Sequence, residues 1–158
     1  MVGNIGLNRS IRPERLVGYW FILSIILLGL VASCSLIPGG KECDAVVKSF
    51  MEAAAAKDID TAYGTMDPSV HKKEVEELIL DKYYLFEGYQ HVKMRSINVQ
   101  FGKPHDTAEY AGEIGYTGGL EGWVEAELVK RGDEWKLTYI WVEVSAEKLA
   151  DYNRRHSQ

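Results

Sequence analysis

Residues 107–144 read TAEYAGEIGYTGGLEGWVEAELVKRGDEWKLTYIWVEV, and their periodicity decides the fold. In Thr107–Tyr116 the residues Ala108, Tyr110, Ile114 and Tyr116 share one phase, with Glu109 and Glu113 on the other. Glu121–Arg131 repeats the pattern with Val124, Ala126 and Leu128. Such alternation marks a strand buried on one face, because successive side chains of an extended chain point to opposite sides. Gly118-Gly119 and Gly132-Asp133 separate the runs, where tight hairpin turns need residues that accept a positive φ. Trp135 and Leu137 hold one phase of the last run, and Ile140, Val142 and Val144 hold the other. That switch predicts a bulge between them.

Upstream, His91–Phe101 reads as one more strand, with Val92 and Met94 on one phase and Ile97, Val99 and Phe101 on the other. A second bulge is expected near Arg95-Ser96, and Gly102–Asp106 turns the chain. The result is a four-stranded antiparallel meander. Before it the period is helical. Cys43, Val47, Phe50 and Ala54 form the inner stripe of a helix over about 41–56. Asp58 is placed to cap a second helix over Ile59–Met66, which Asp67-Pro68 ends. Ser69 is the candidate cap of a third, reaching about Tyr84. Downstream, Ser145 is placed to cap a short terminal helix over Ala146–Arg154. Helices segregated from strands predict an α+β fold, with N-terminal helices packed in a curved four-stranded sheet.

Residues 1–33 carry three arginines and one glutamate, a charge of +2, while 34–158 carry 15 Lys+Arg against 22 Asp+Glu, a charge of −7. A domain this acidic is not built for nucleic acid, which needs clustered cations against its phosphates. Arg9, Arg12 and Arg15 precede Leu16–Ile37, an apolar run containing FILSIILLGLVASC. A basic flank before such a run directs the downstream chain to the outside of the cytoplasmic membrane. Two readings stand for this segment. Val31-Ala32-Ser33-Cys34 resembles a bacterial lipobox, which implies lipid attachment at Cys34 and cleavage before it. Alternatively, its 22 residues suit an uncleaved transmembrane helix, for which about 20 are needed. Both make the membrane a partner and place the domain on its extracytoplasmic side. The expected organisation is therefore a basic region over 1–15, the apolar segment over 16–37, a hinge at 38–40 and one domain over 41–155. Two cysteines build no disulfide framework, and the helical phase puts Cys43 in the core.

Two stretches carry a family resemblance: Val46-Val47-Lys48-Ser49-Phe50-Met51 leading into Lys57-Asp58-Ile59-Asp60-Thr61-Ala62-Tyr63, and the closing Gly132-Asp133-Glu134-Trp135-Lys136-Leu137. Over about residues 41–145 the chain resembles the nuclear-transport-factor-2-like (cystatin-like) superfamily. More narrowly, it is similar to its small exported, lumazine-binding-like bacterial domains of unknown function. The resemblance implies a cone-shaped α+β domain but no chemistry, since that superfamily holds enzymes, binders and scaffolds alike.

Enzymes of the superfamily place an acid–base pair in the cone. Here the inward strand positions hold no carboxylate or histidine, leaving Tyr63, Tyr110 and Tyr116 as candidate lining of a cavity. His71, His91, His105 and His156 show no metal-ligand spacing, and there is no phosphate loop or CxxC pair, so no cofactor, metal site or catalytic residue is assigned. The outward sheet phase is more distinctive. Glu109, Glu113, Glu125, Glu127 and Glu143 fall on it with Trp123 and Trp141, and Lys93, Arg95, Lys130 and Lys136 are candidate partners for the glutamates. Aromatic anchors with an acidic rim suit a protein partner of the envelope, whereas the bland reading is a solvated face. The expectation is a non-catalytic binding or interaction module. Its alternative is an enzyme or apolar-ligand carrier using the cone.

Overall fold

The structure, a computed structural model, describes residues 38–157. The lipobox or membrane-helix segment, with Cys34, lies outside the described residues. Helix α1 spans Gly40–Ala55 and α2 Ile59–Gly64, followed by α3 over Lys72–Asp81 and a 3-10 turn at Tyr83–Leu85. The strands follow as β1 (Tyr89–Gln100), β2 (Thr107–Tyr116), β3 (Glu121–Arg131) and β4 (Glu134–Val144), and α4 (Ala146–His156) closes the chain. The sheet is antiparallel in the order β1-β2-β3-β4. None of the helices among the described residues is long and apolar enough to cross a membrane.

The sheet buries one face under α1. Cys43, Val47, Phe50, Met51 and Ala54 of α1 meet Ala108, Tyr110, Ile114, Val124, Ala126, Leu128 and Leu137 in one core. Each large side chain removed from water here contributes roughly 1.5–3 kcal/mol. Both expected bulges are present. The β1–β2 register slips between Met94 and Ser96, leaving Arg95 extra. The β3–β4 register slips between Glu127 and Leu128, leaving Thr138 extra. Asp58 caps α2 by accepting from the Thr61 amide at 3.0 Å, and Ser145 caps α4 by accepting from the Lys148 amide at 3.2 Å.

Three expectations need correction. Helix α3 starts behind His71, not Ser69, because Asp67 captures Ser69: its Oδ1 accepts from the Ser69 amide at 3.0 Å and hydroxyl at 2.6 Å. The same helix stops at Asp81 and leaves Leu80 exposed. Phe101 falls beyond the end of β1 and is 62% exposed, so it is not an inward strand residue.

The free edges of the sheet differ. Along β4, the Leu137 amide donates to the Thr65 carbonyl at 3.0 Å and the Asp67 amide to the Leu137 carbonyl at 2.7 Å, so residues 65–67 cover part of that edge. Along β1, Lys93 and the bulged Arg95 stand exposed.

Candidate functional site

On the outer face of the sheet, strand register arranges side chains in rows. Glu109 lies opposite Glu127, and Glu127 opposite Tyr139; in the next row Ala111 faces Glu125, and Glu125 faces Trp141. In the third row Glu113 faces Trp123, and Trp123 faces Glu143. Tyr139 is 49% and Trp141 42% exposed, although both carry large apolar surfaces; Trp123 is half-buried. Small Ala111 leaves a groove of about 370 Å³ among Asn98, Glu109, Glu125, Glu127 and Tyr139. A second, of about 330 Å³, opens four residues further along the strands among Glu113, Glu121, Trp123 and Glu143.

Cations are scarce on this face. Arg95 pairs with Glu113, as its sequence position allowed, and this bond holds the Glu113 carboxyl below the usual range. Lys93, opposite Glu113, adds to that lowering, but among the described residues Lys93, Lys130 and Lys136 form no ion pair with an outer glutamate. Lys136 donates to the Gly64 carbonyl at 3.0 Å and pairs with Glu134 at 3.0 Å, away from the outer glutamates. Among the described residues, Glu109, Glu125, Glu127 and Glu143 have no cationic partner. Glu109 accepts only from the Asn98 amide group at 3.3 Å, and Glu125 from the Trp123 indole at 3.1 Å.

The three candidate cavity tyrosines occupy different places. Tyr110 is buried in the middle of β2, where its hydroxyl donates to Asp44 Oδ1 at 2.8 Å. Tyr116 is buried at the strand's end and donates to the Leu85 carbonyl at 2.7 Å. Burial, with the Asp44 charge acting on Tyr110, pushes both phenols well above their ordinary range. Tyr63 is half-buried on α2. The carboxylate that the strands lack comes from α1. Asp44 accepts from Tyr110 on one oxygen and from Lys48 at 2.6 Å on the other. The sequence signal was an aspartate one residue after Cys43 on the same helix, which strand phases alone do not reveal.

Two further buried ionic groups escaped the sequence reading. Lys148 is 2% exposed, with Nζ donating to the Tyr84 carbonyl at 2.8 Å and the Glu87 carbonyl at 2.9 Å. The same ammonium lies 4.2 Å from the Tyr116 ring centroid, and desolvation draws its pKa down. Asp67, 1% exposed, accepts from Arg131 Nε at 2.6 Å, and Arg131 Nη1 lies 2.6 Å from His105 Nε2. That arginine, helped by Ser69, holds the Asp67 carboxyl far below the usual range. The histidines remain apart, and among the described residues no three His, Cys, Asp or Glu side chains gather closely enough to hold a metal ion. Cys43 is fully buried, and desolvation pushes its thiol up to about 12.

No family model matches the chain, and no curated protein matches it. Among solved structures it is similar to a protein of unknown function with a cystatin-like fold from Nostoc punctiforme. The two are 13% identical with a TM-score of 0.52, over 66% of this chain and 90% of that one. It is more loosely similar to a putative NTF2-like transpeptidase from Campylobacter jejuni, at 12% identity and TM-score 0.48 over 60% of this chain and 95% of that one. An NTF2-like protein from Cytophaga hutchinsonii is similar at 11% and 0.41, over 64% and 93%. The first likeness shows the fold, which is the cystatin-like α+β one. At this identity it carries no activity with it.

Proposed function

We propose that this chain is a membrane-tethered domain on the extracytoplasmic side of the cell envelope, acting as a non-catalytic binding module through its outer sheet face. The observation that carries the reading is the composition of that face: half-exposed Tyr139 and Trp141 beside Glu109, Glu125 and Glu127, which have no cationic partner among the described residues. Exposed aromatics amid an acidic rim are how interfaces combine an anchor with charge steering. The tether rests on the basic and apolar segment of residues 1–37.

The test is capture from native membranes. Trp123→Ala with Trp141→Ala is expected to lose a co-purifying protein while the thermal transition stays in place, and an undiminished capture rejects the reading. The intact mass of the same extract reads the tether. A chain beginning at acylated Cys34 identifies a lipoprotein, and an unmodified full-length chain identifies a transmembrane helix. A second reading, an enzyme or apolar-ligand carrier working in the cone, has the Asp44–Tyr110 pair in its favour. The phenol and the carboxylate are bonded to each other, however, so a ligand would have to part them first.

A further inference from the structure

Resting on the binding reading above, we infer that the occupant of the outer face is an extended basic segment of a protein partner, with arginine side chains four residues apart entering the two grooves. Four observations lead there. First, Glu109 and Glu127 stand directly opposite across β2 and β3, where Cβ atoms lie about 4.5–5.5 Å apart and like charges repel. Their neighbours Asn98 and Trp123 donate hydrogen bonds to this patch without bringing charge. A cation from outside relieves the repulsion.

Second, among the described residues no three of these carboxylates gather closely enough to hold a metal ion. A broad cation with several donors meets them where a bare metal ion does not. The guanidinium is planar, carries five donors and bonds carboxylates two at a time. Third, Tyr139 walls the first groove and Trp123 the second, giving the cation an aromatic face to stack on. Fourth, the grooves are spaced for an extended chain. The first centres near Ala126, over β1 to β3, and the second near Gly122, over β3 and β4, four residues along β3. At about 3.3 Å per residue that is ~13 Å, the separation of side chains four apart in an extended peptide. A helix rises only about 1.5 Å per residue and needs roughly nine residues for the same span.

The experiment titrates the full-length chain, in nonionic detergent, with seven-residue peptides of serine and threonine carrying two arginines, followed by calorimetry and tryptophan fluorescence. The peptide with arginines at its second and sixth positions is expected to bind at least ten-fold more tightly than its isomer with adjacent arginines. Glu109→Gln with Glu127→Gln is expected to weaken it at least ten-fold. Ala111→Leu, which fills the first groove and leaves the charge alone, is expected to do the same. Equal affinity for the two isomers, unchanged binding in both variants, or no binding at all overturns the inference. These failures are distinct from failure of the binding reading. A partner captured from membranes through Trp123 and Trp141 by a chain that ignores both peptides keeps the face and rejects the basic segment.

Discussion

Lys148 sits in an environment far from what its side chain prefers. An ammonium taken out of water is tolerated only when its donors are met, and here two carbonyls and a ring face meet them. The acceptors belong to the 3-10 turn and to the segment that leads from it to β1, so the side chain pins α4 to both. Lys148→Met keeps the length and the apolar stem but leaves the Tyr84 and Glu87 carbonyls without this donor. It is expected to destabilise the domain by about 1–3 kcal/mol, read as a lower urea midpoint. Nothing in the sequence marked this lysine. Its helical phase was visible, but a lysine on the inner side of a short terminal helix is indistinguishable from a surface one until the segment it grips is located. Asp67 was hidden for a similar reason. It reads as a helix stop before proline, and its partner Arg131 lies 64 positions away.

Most of the elements were legible because their signals are local. The alternation in β2 and β3 returned both strands with their observed bounds, and the phase switches in β1 and β4 located two bulges. The start of α3 was not legible, since Ser69 has a capping side chain and only the buried Asp67 nearby decides that it is used elsewhere. The rows of the outer face were half legible. Strand phase put the glutamates and tryptophans together, but which lysines reach them depends on how the sheet edge curls, and Lys136 curls toward Gly64. Glycine placement gives an element-scale prediction. A Cβ on Gly122 would lie 2.6 Å from the Glu143 carbonyl oxygen and 3.0 Å from the Tyr116 ring, at the β3–β4 contact. Gly122→Ala therefore forces the strands apart and is expected to lower stability by about 1–3 kcal/mol. Gly64→Ala meets nothing within 4 Å and is expected to be neutral or mildly stabilising in the same urea titration.

For the whole molecule, the buried thiol and phenols set the response to alkali. Cys43 is pushed from 9.0 to about 12 and Tyr89 from 10.0 to about 12, in each case chiefly by burial, and Tyr110 and Tyr116 go higher. A group whose folded pKa is raised favours the fold below its unfolded pKa, and that contribution fades as pH climbs above it. Each such group removes up to about 1.4 kcal/mol per pH unit in that window. Lys148 acts in the opposite direction, because its lowered pKa penalises the fold at neutral pH and the penalty shrinks toward 10.5. Four groups outweigh one. The urea midpoint is expected to fall steadily from pH 9 to pH 11, less steeply in Tyr110→Phe, and a midpoint that rises over this range contradicts the assignment.

The coverage of the β4 edge by residues 65–67 has a consequence for crowding. Domains crowded to high local concentration are exposed to edge-to-edge strand pairing. An open edge templates such pairing, and charges or an added segment block it. Here Thr65 and Asp67 occupy the hydrogen-bonding groups of Leu137, while Lys93 and the bulge at Arg95 interrupt the opposite edge. The sheet thus leaves its broad outer face available while guarding part of each margin, so that crowded copies of the domain are hindered from polymerising edge to edge.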